Sequence, residues 1–482
     1  MLFNSYVFIF AFLPIVFLLY FLLTYLKLIR VSKIWLIASS LFFYSYWNII
    51  YLPLIVGSFV ANYIIGMYLS KGSKPKKAIL VIGITANVLL LGYFKYYDFF
   101  IANINTLTDY SFSLLNLALP LAISFFTFQQ IAFLVDAYRK EMNEYSFLDY
   151  TLFVTFFPQL IAGPIVHHKE MMPQFMNVGN KFINFRNISM GIFIFSIGLF
   201  KKVAIADTFA VWANKGFTES ETLTFFEGWI TSLSYTFQLY FDFSGYTDMA
   251  IGIALLFNIR LPINFNSPYK SLNIQDFWRR WHMTLGRFLT KYIYIPLGGN
   301  RKGEGRTYVN ILIIFLISGL WHGAGWTFVF WGFLHGLATV IHRFWTKLNL
   351  KMNKLLAWFI TFQFVNISWV FFRAETWQDA INVSKSMIGL NGIYFPPVLA
   401  LHFPSWIPQE WSKRYFVGTE EDLYFTLYFL LITFIIVVFA KNSVERLEGF
   451  KPNWFNVIFS GIIFVTSVLL LTKVSEFLYF NF

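Results

Sequence analysis

Residues 309–341 read VNILIIFLISGLWHGAGWTFVFWGFLHGLATVI, an apolar stretch interrupted by Gly319, Gly323 and Gly325 and carrying His322 near its middle. A helix crosses the hydrocarbon core with roughly 20 apolar residues, so this stretch is too long for one untilted crossing and its glycines predict a break. Irregular backbone survives at membrane depth only where protein or a water-filled cavity surrounds it. His322 is therefore expected to face an internal chamber, where a neutral imidazole can act as a base. The same residues also allow a core histidine packed between Trp321 and Trp326.

The rest of the chain has the same character. Of its 482 residues 57% are hydrophobic, 22% aromatic and only 13% charged, and mean hydropathy is +0.60. That usage is far from a water-soluble domain. Apolar runs begin near Ser5, Ile34, Leu52, Ala78, Leu117, Tyr150, Ile188, Phe226, Val309, Thr327, Leu355, Leu423 and Val457. They predict an all-α, polytopic membrane protein with about eleven crossings plus re-entrant and interfacial pieces. Tyr6–Leu26 is too long for a signal-peptide core and is expected to stay as a span. We read 1–482 as one transmembrane domain, with a basic, amphipathic cytoplasmic segment at 260–306 and an extracytoplasmic loop at 374–422.

The net charge is +13, yet Lys and Arg are spread over short loops, which argues against nucleic acid. The positive-inside rule accounts for them. Lys27, Arg30 and Lys33, and then Lys71, Lys74, Lys76 and Lys77, fall on one face by parity. That face is expected to be cytoplasmic, with the N-terminus outside. The chain has no cysteine, which excludes disulfides, thiolate catalysis and Cys-ligated metals.

Ionisable groups among apolar runs are costly and mark sites or buried pairs. In Asp276–Tyr292, helical spacing puts Trp278, Trp281, Leu285, Phe288 and Tyr292 on one face and Asp276, Arg280, Arg287 and Lys291 on the other, the pattern of an interfacial helix. His282 lies at the border, facing either the chamber or the headgroups. In Tyr240–Met249, Asp242, Tyr246 and Asp248 could orient a histidine or hold an acceptor hydroxyl. For the two carboxylates, a structural ion pair with Arg279, Arg280 or Arg287 is the favoured reading. Phe156–Lys169 carries prolines and glycine that predict a re-entrant turn, and helical spacing would send His167 and His168 apart. No set of ligands has metal-site spacing, so no metal is expected. Leu297–Arg306 lacks a P-loop ending, although a basic loop attracts anionic phosphates.

Several separated motifs occur together: Trp278-Arg-Arg-Trp-His282, Tyr294-Ile-Pro-Leu-Gly-Gly-Asn-Arg301 and Ser318-Gly-Leu-Trp-His-Gly323. Phe157-Pro-Gln-Leu-Ile-Ala-Gly-Pro164, Phe241-Asp-Phe-Ser-Gly-Tyr246 and Trp369-Val-Phe-Phe-Arg-Ala374 accompany them. Over most of its length the chain resembles the membrane-bound O-acyltransferases, in particular the bacterial branch of the alginate O-acetyltransferase membrane subunit.

The resemblance implies helices around a central funnel and tunnel, a catalytic histidine at His322 and a second polar position at His282. It implies acetyl-coenzyme A as donor, with no tightly bound cofactor. The donor phosphates would lie on a rim of Arg279, Arg280, Arg287, Arg301 and Lys302, near Trp278 and Trp281. A periplasmic or surface SGNH-like acetyltransferase is the implied partner, and the bacterial cytoplasmic (inner) membrane the implied location. The expected reaction is O-acetylation of an extracytoplasmic polysaccharide, alginate or a similar exopolysaccharide. Peptidoglycan is the alternative, and a glycan transporter or a noncatalytic assembly subunit are readings from other classes.

Overall fold

The computed structural model describes residues 1–71, 76–108, 110–142, 145–395, 420–471 and 477–478. Among them the chain is all helical, without a β-strand. Among the described residues, six helices are long and apolar enough to cross a membrane: Phe8–Tyr25, Ile49–Ser70, Lys77–Leu107, Phe185–Thr218, Lys354–Arg373 and Glu421–Phe439. Their outward residues are apolar, for example Leu18, Ile64, Leu89 and Leu431, as lipid contact requires.

The element that organises the fold is Phe225–Leu256, a helix of 32 residues. Thr224 and Glu227 cap its start reciprocally, a device that satisfies two of its orphan N–H groups. From Ile230 onward almost every side chain on it is buried, so its polar residues are met by protein rather than lipid. Phe185–Phe200 packs against it through two glycine pairs. A Cβ on Gly198 would lie 2.6 Å from the Gly245 carbonyl oxygen, and one on Gly191 2.7 Å from that of Gly252. Both pairs are seven residues apart on each helix, so the two backbones approach closely along two turns. Small residues at such crossings let van der Waals contact replace the missing hydrophobic drive in lipid.

A π-helical turn, Lys201–Ala206, follows and sends two successive lysines into the protein. Lys201 Nζ sits 2.7 Å from Asp248 Oδ2, and Lys202 Nζ 2.7 Å from Asp242 Oδ1 and 2.8 Å from Asp207 Oδ1. The partners of Asp242 and Asp248 are thus these lysines, not Arg279, Arg280 or Arg287. Periodicity could not reveal this, because a π turn shifts the phase of the helix and the docking of the helices decides which cation meets each carboxylate.

The long apolar stretch is two helices, Glu304–His322 and Trp326–Lys347, broken at the glycines. The run at 117 becomes helical only at Ile123, after Pro120 and a left-handed Ala122. Phe147–Thr155 and Phe157–Leu160 are short helices, and the chain from Phe156 to Val166 turns through the interior fully buried.

Asp276–Tyr292 is not one interfacial helix. It is Ile274–Arg280, a left-handed His282, Met283–Leu289 and a π turn Thr290–Tyr294. Its face of Trp281, Leu285 and Phe288 packs into the protein core, so the pattern reflects burial by neighbours rather than by headgroups. Within the expected loop 374–422 a capped helix forms at Trp377–Met387. Residues 396–419 of that loop, and Lys74, lie outside the described residues.

Candidate active site

His322 ends the helix Glu304–His322. Gly323 continues it in extended backbone, and a Cβ there would lie 2.2 Å from the Phe328 ring. The neighbouring helix closes tightly over this end, since a Cβ on Gly319 would lie 2.3 Å from the Phe328 carbonyl oxygen. His322 is 2% exposed. Its ring meets Trp331 and Phe372 edge-on at 5.2 Å and Trp321 at 4.8 Å. Trp326, expected as one wall, instead points away and bonds Asn103.

His282 is fully buried, and its ring centroid lies 6.3 Å from that of His322. Its φ of 45° is rare for a residue with a Cβ and costs free energy that the surroundings must supply. Those surroundings centre on Asn264, whose Oδ1 is 3.2 Å from His282 Nδ1 and accepts from the Thr284 hydroxyl at 2.9 Å. Asn264 O also takes the Met283 N–H. The histidine is thus aimed inward, and the headgroup alternative is removed by its burial.

Two chambers approach His322. A basic one of about 700 Å³ is lined by Trp278, Arg279, Arg287 and Lys291 and reaches Ser318, one turn before the histidine. A second, of about 910 Å³, is lined by Lys95, Lys202, Gln238, Arg373 and Gly323, the residue after it. The two cavities thus reach backbone on either side of His322, whose buried ring is in the lining of neither.

The remaining predicted residues are placed elsewhere. Arg280 bonds Asp276 at 2.9 Å, Arg301 is exposed, and neither lines the two chambers. Trp281 is buried and stacked on Phe277 at 5.6 Å. Tyr246 is clamped in the core between Phe3 and Phe477. Asp242 and Asp248 hold the lysines already named. Asp242 also accepts the Leu478 N–H at 3.0 Å.

Beside the basic chamber, His167 and His168 converge instead of diverging, because His167 is the cap that precedes the helix rather than a member of it. Both approach Asp136 Oδ2, at 2.6 and 3.1 Å. Together with Asp136 they bring three possible ligand atoms within 4.8 Å. Tyr292 donates to the same oxygen at 2.9 Å and Lys291 Nζ lies 3.1 Å from Asp136 Oδ1. With that ammonium in place the carboxylate already has its counter-charge. At the rim, the Lys169 hydrogen bond holds the Glu141 carboxyl below the usual carboxylate range.

Sequence reasoning passed over Lys95 and His335, and reached Arg373 only as part of the Trp369–Ala374 motif. Lys95 had a readable signal, as the one charged residue between Ala78 and Tyr97. His335 accepts from the Trp278 indole at 3.2 Å and meets the Ser368 hydroxyl at 2.9 Å, fixing a wall of the basic chamber.

Residues 136–374, which contain both histidines and both motif-bearing helices, match the membrane-bound O-acyltransferase family. A protein from Helicobacter pylori named "Peptidoglycan O-acetyltransferase" is 49% identical over the whole of this chain and 98% of its own length. The chain belongs to the membrane-bound O-acyltransferase family. A Pseudomonas putida protein named "Probable alginate O-acetylase AlgI" is 36% identical over the full length of both chains. A Streptococcus thermophilus "Teichoic acid D-alanyltransferase" is 27% identical over 50% of this chain and 60% of its own. The chain is thus a multi-pass membrane acyltransferase, and the transporter and scaffold readings give way.

Proposed function

We propose that this protein moves an acetyl group from cytosolic acetyl-coenzyme A across the bacterial inner membrane for O-acetylation of peptidoglycan. The observation that carries the reading is buried His322 between Ser318, which lines the basic chamber, and Gly323, which lines the second. The choice of glycan rests on similarity: identity is 49% to the peptidoglycan relative against 36% to the alginate one, both over the whole chain. This reverses the order expected from sequence, where alginate came before peptidoglycan.

In this reading the basic chamber opens to the cytosol. Arg279 and Arg287 hold the donor phosphates by charge-assisted hydrogen bonds, and the pantetheine arm lies along Trp278 toward Ser318. The second chamber admits the acceptor from outside. His322 accepts the proton of the acceptor hydroxyl as its oxygen attacks the thioester carbonyl. A C–O bond forms, the C–S bond breaks, and the coenzyme A thiolate takes the proton back from the imidazolium. His282 fixes the wall behind His322. About eleven crossings surround this path, and a periplasmic or surface transferase relays the acetyl group to the glycan.

The test is transfer from labelled acetyl-coenzyme A in membranes, together with base-released acetate from isolated cell-wall sacculi, for wild type and His322→Asn at matched abundance. Loss of both signals is expected. Wild-type transfer without peptidoglycan acetate would reject peptidoglycan, and an active His322→Asn would reject the base.

A further inference from the structure

An α-helix leaves its last carbonyl groups without partners. In Glu304–His322 the Gly319 carbonyl still accepts from Gly323 N–H, and the extended backbone at Gly323 and Gly325 turns the following N–H groups away. The three carbonyls beyond are taken by side chains from a distant helix. The Tyr96 hydroxyl donates to Leu320 O at 2.6 Å, and Lys95 Nζ donates to Trp321 O at 2.5 Å and His322 O at 3.3 Å. Ser124 Oγ lies 3.4 Å from the same ammonium.

Both donors come from a π-helical turn, Gly92–Tyr96, inside the apolar span Lys77–Leu107. Such widened turns are rare and gather at functional sites. No carboxylate forms an ion pair with Lys95 among the described residues. Asp98, one turn on, instead accepts Leu115 N–H at 2.7 Å and Asn116 N–H at 2.9 Å. A lysine at membrane depth is expensive, and this one faces the negative end of a helix dipole, where a cation is favoured. It also lines the second chamber beside Gly323.

We infer that Lys95, with Tyr96, is a positioning residue for acyl transfer: the pair caps the histidine helix from outside and fixes where its last residue presents the imidazole. The inference rests on His322 as the base. Without the cap the last turn frays toward the glycines and the ring loses its place between Trp331 and Phe372. A displacement of about 1 Å near a reacting group costs about 100-fold in rate.

The experiment measures kcat and KM for acetyl-coenzyme A with wild type, Lys95→Met, Lys95→Arg, Tyr96→Phe and His322→Asn, with abundance and detergent chromatography for each. Lys95→Met is expected to lower kcat about 10- to 100-fold with KM within twofold, Lys95→Arg to restore most of it, and Tyr96→Phe to lower kcat a few-fold. An inactive His322→Asn beside a Lys95→Met within twofold of wild type overturns this inference alone. An active His322→Asn overturns the base itself. If Lys95→Met does not accumulate, Tyr96→Phe decides: unchanged kcat in that variant overturns the cap.

Discussion

The rings of His282 and His322 stand 6.3 Å apart, tilted 61° to one another, with Trp321 packed 5.9 Å from the first and 4.8 Å from the second. One histidine ends a helix and the other sits in a left-handed turn, so they do unequal work. His322→Ala is expected to lower kcat by about 10²- to 10⁴-fold, the usual worth of a general base. His282→Ala should cost less, and the double variant should be no worse than His322→Ala, since groups acting as one unit are not additive. Additive losses in a double-variant cycle of transfer rates would show two independent roles.

Lys202 and Asp242 are both buried beside the second chamber. Removing one member of a buried pair strands the other charge and costs about 3–5 kcal/mol, while replacing both by apolar residues is far milder. Lys202 also pairs with Asp207 at 2.8 Å, so Asp242→Ala should lower the melting temperature in detergent only moderately, and Lys202→Met, which strands both carboxylates, should lower it more. A stable Asp242→Ala protein with a raised KM would instead make the carboxylate a binding group.

Gly198 and Gly245 face each other where two helices nearly touch. A methyl group on either must push backbone against backbone, an overpacking cost of about 1–3 kcal/mol. Gly245→Ala is expected to reduce thermal stability without changing KM. An unchanged melting curve would mean that the crossing has slack.

Arg279 is exposed at the basic chamber, whereas Arg287 is shared with Glu170 and Arg280 with Asp276. Arg279→Ala should raise KM for acetyl-coenzyme A about tenfold with kcat nearly unchanged, the value of one charge-assisted contact. The wild-type KM should also rise with ionic strength more steeply than that of the variant. A fall in kcat at constant KM would place the arginine outside donor binding.

The sequence by itself determined the solvent and the class of structure. Apolar runs and dispersed lysines dictate membrane helices, and the glycines around His322 dictate the break, because these are consequences of local composition. The breaks at His282 and at Gly92–Tyr96 were not legible in this way. A left-handed histidine and a π turn are strained or rare locally and are held by distant partners, Asn264 in one case and the carbonyls of Leu320 to His322 in the other.

Ion-pair partners were likewise a tertiary decision. Asp242 and Asp248 could be recognised as costly in an apolar run, yet which cation met them depended on how Phe185–Phe200 and its π turn docked on the central helix. Sequence pattern fixes which face of an element is apolar. It does not fix whether lipid or protein covers that face, and that difference turned the expected interfacial helix at 276–292 into the packed wall of a chamber.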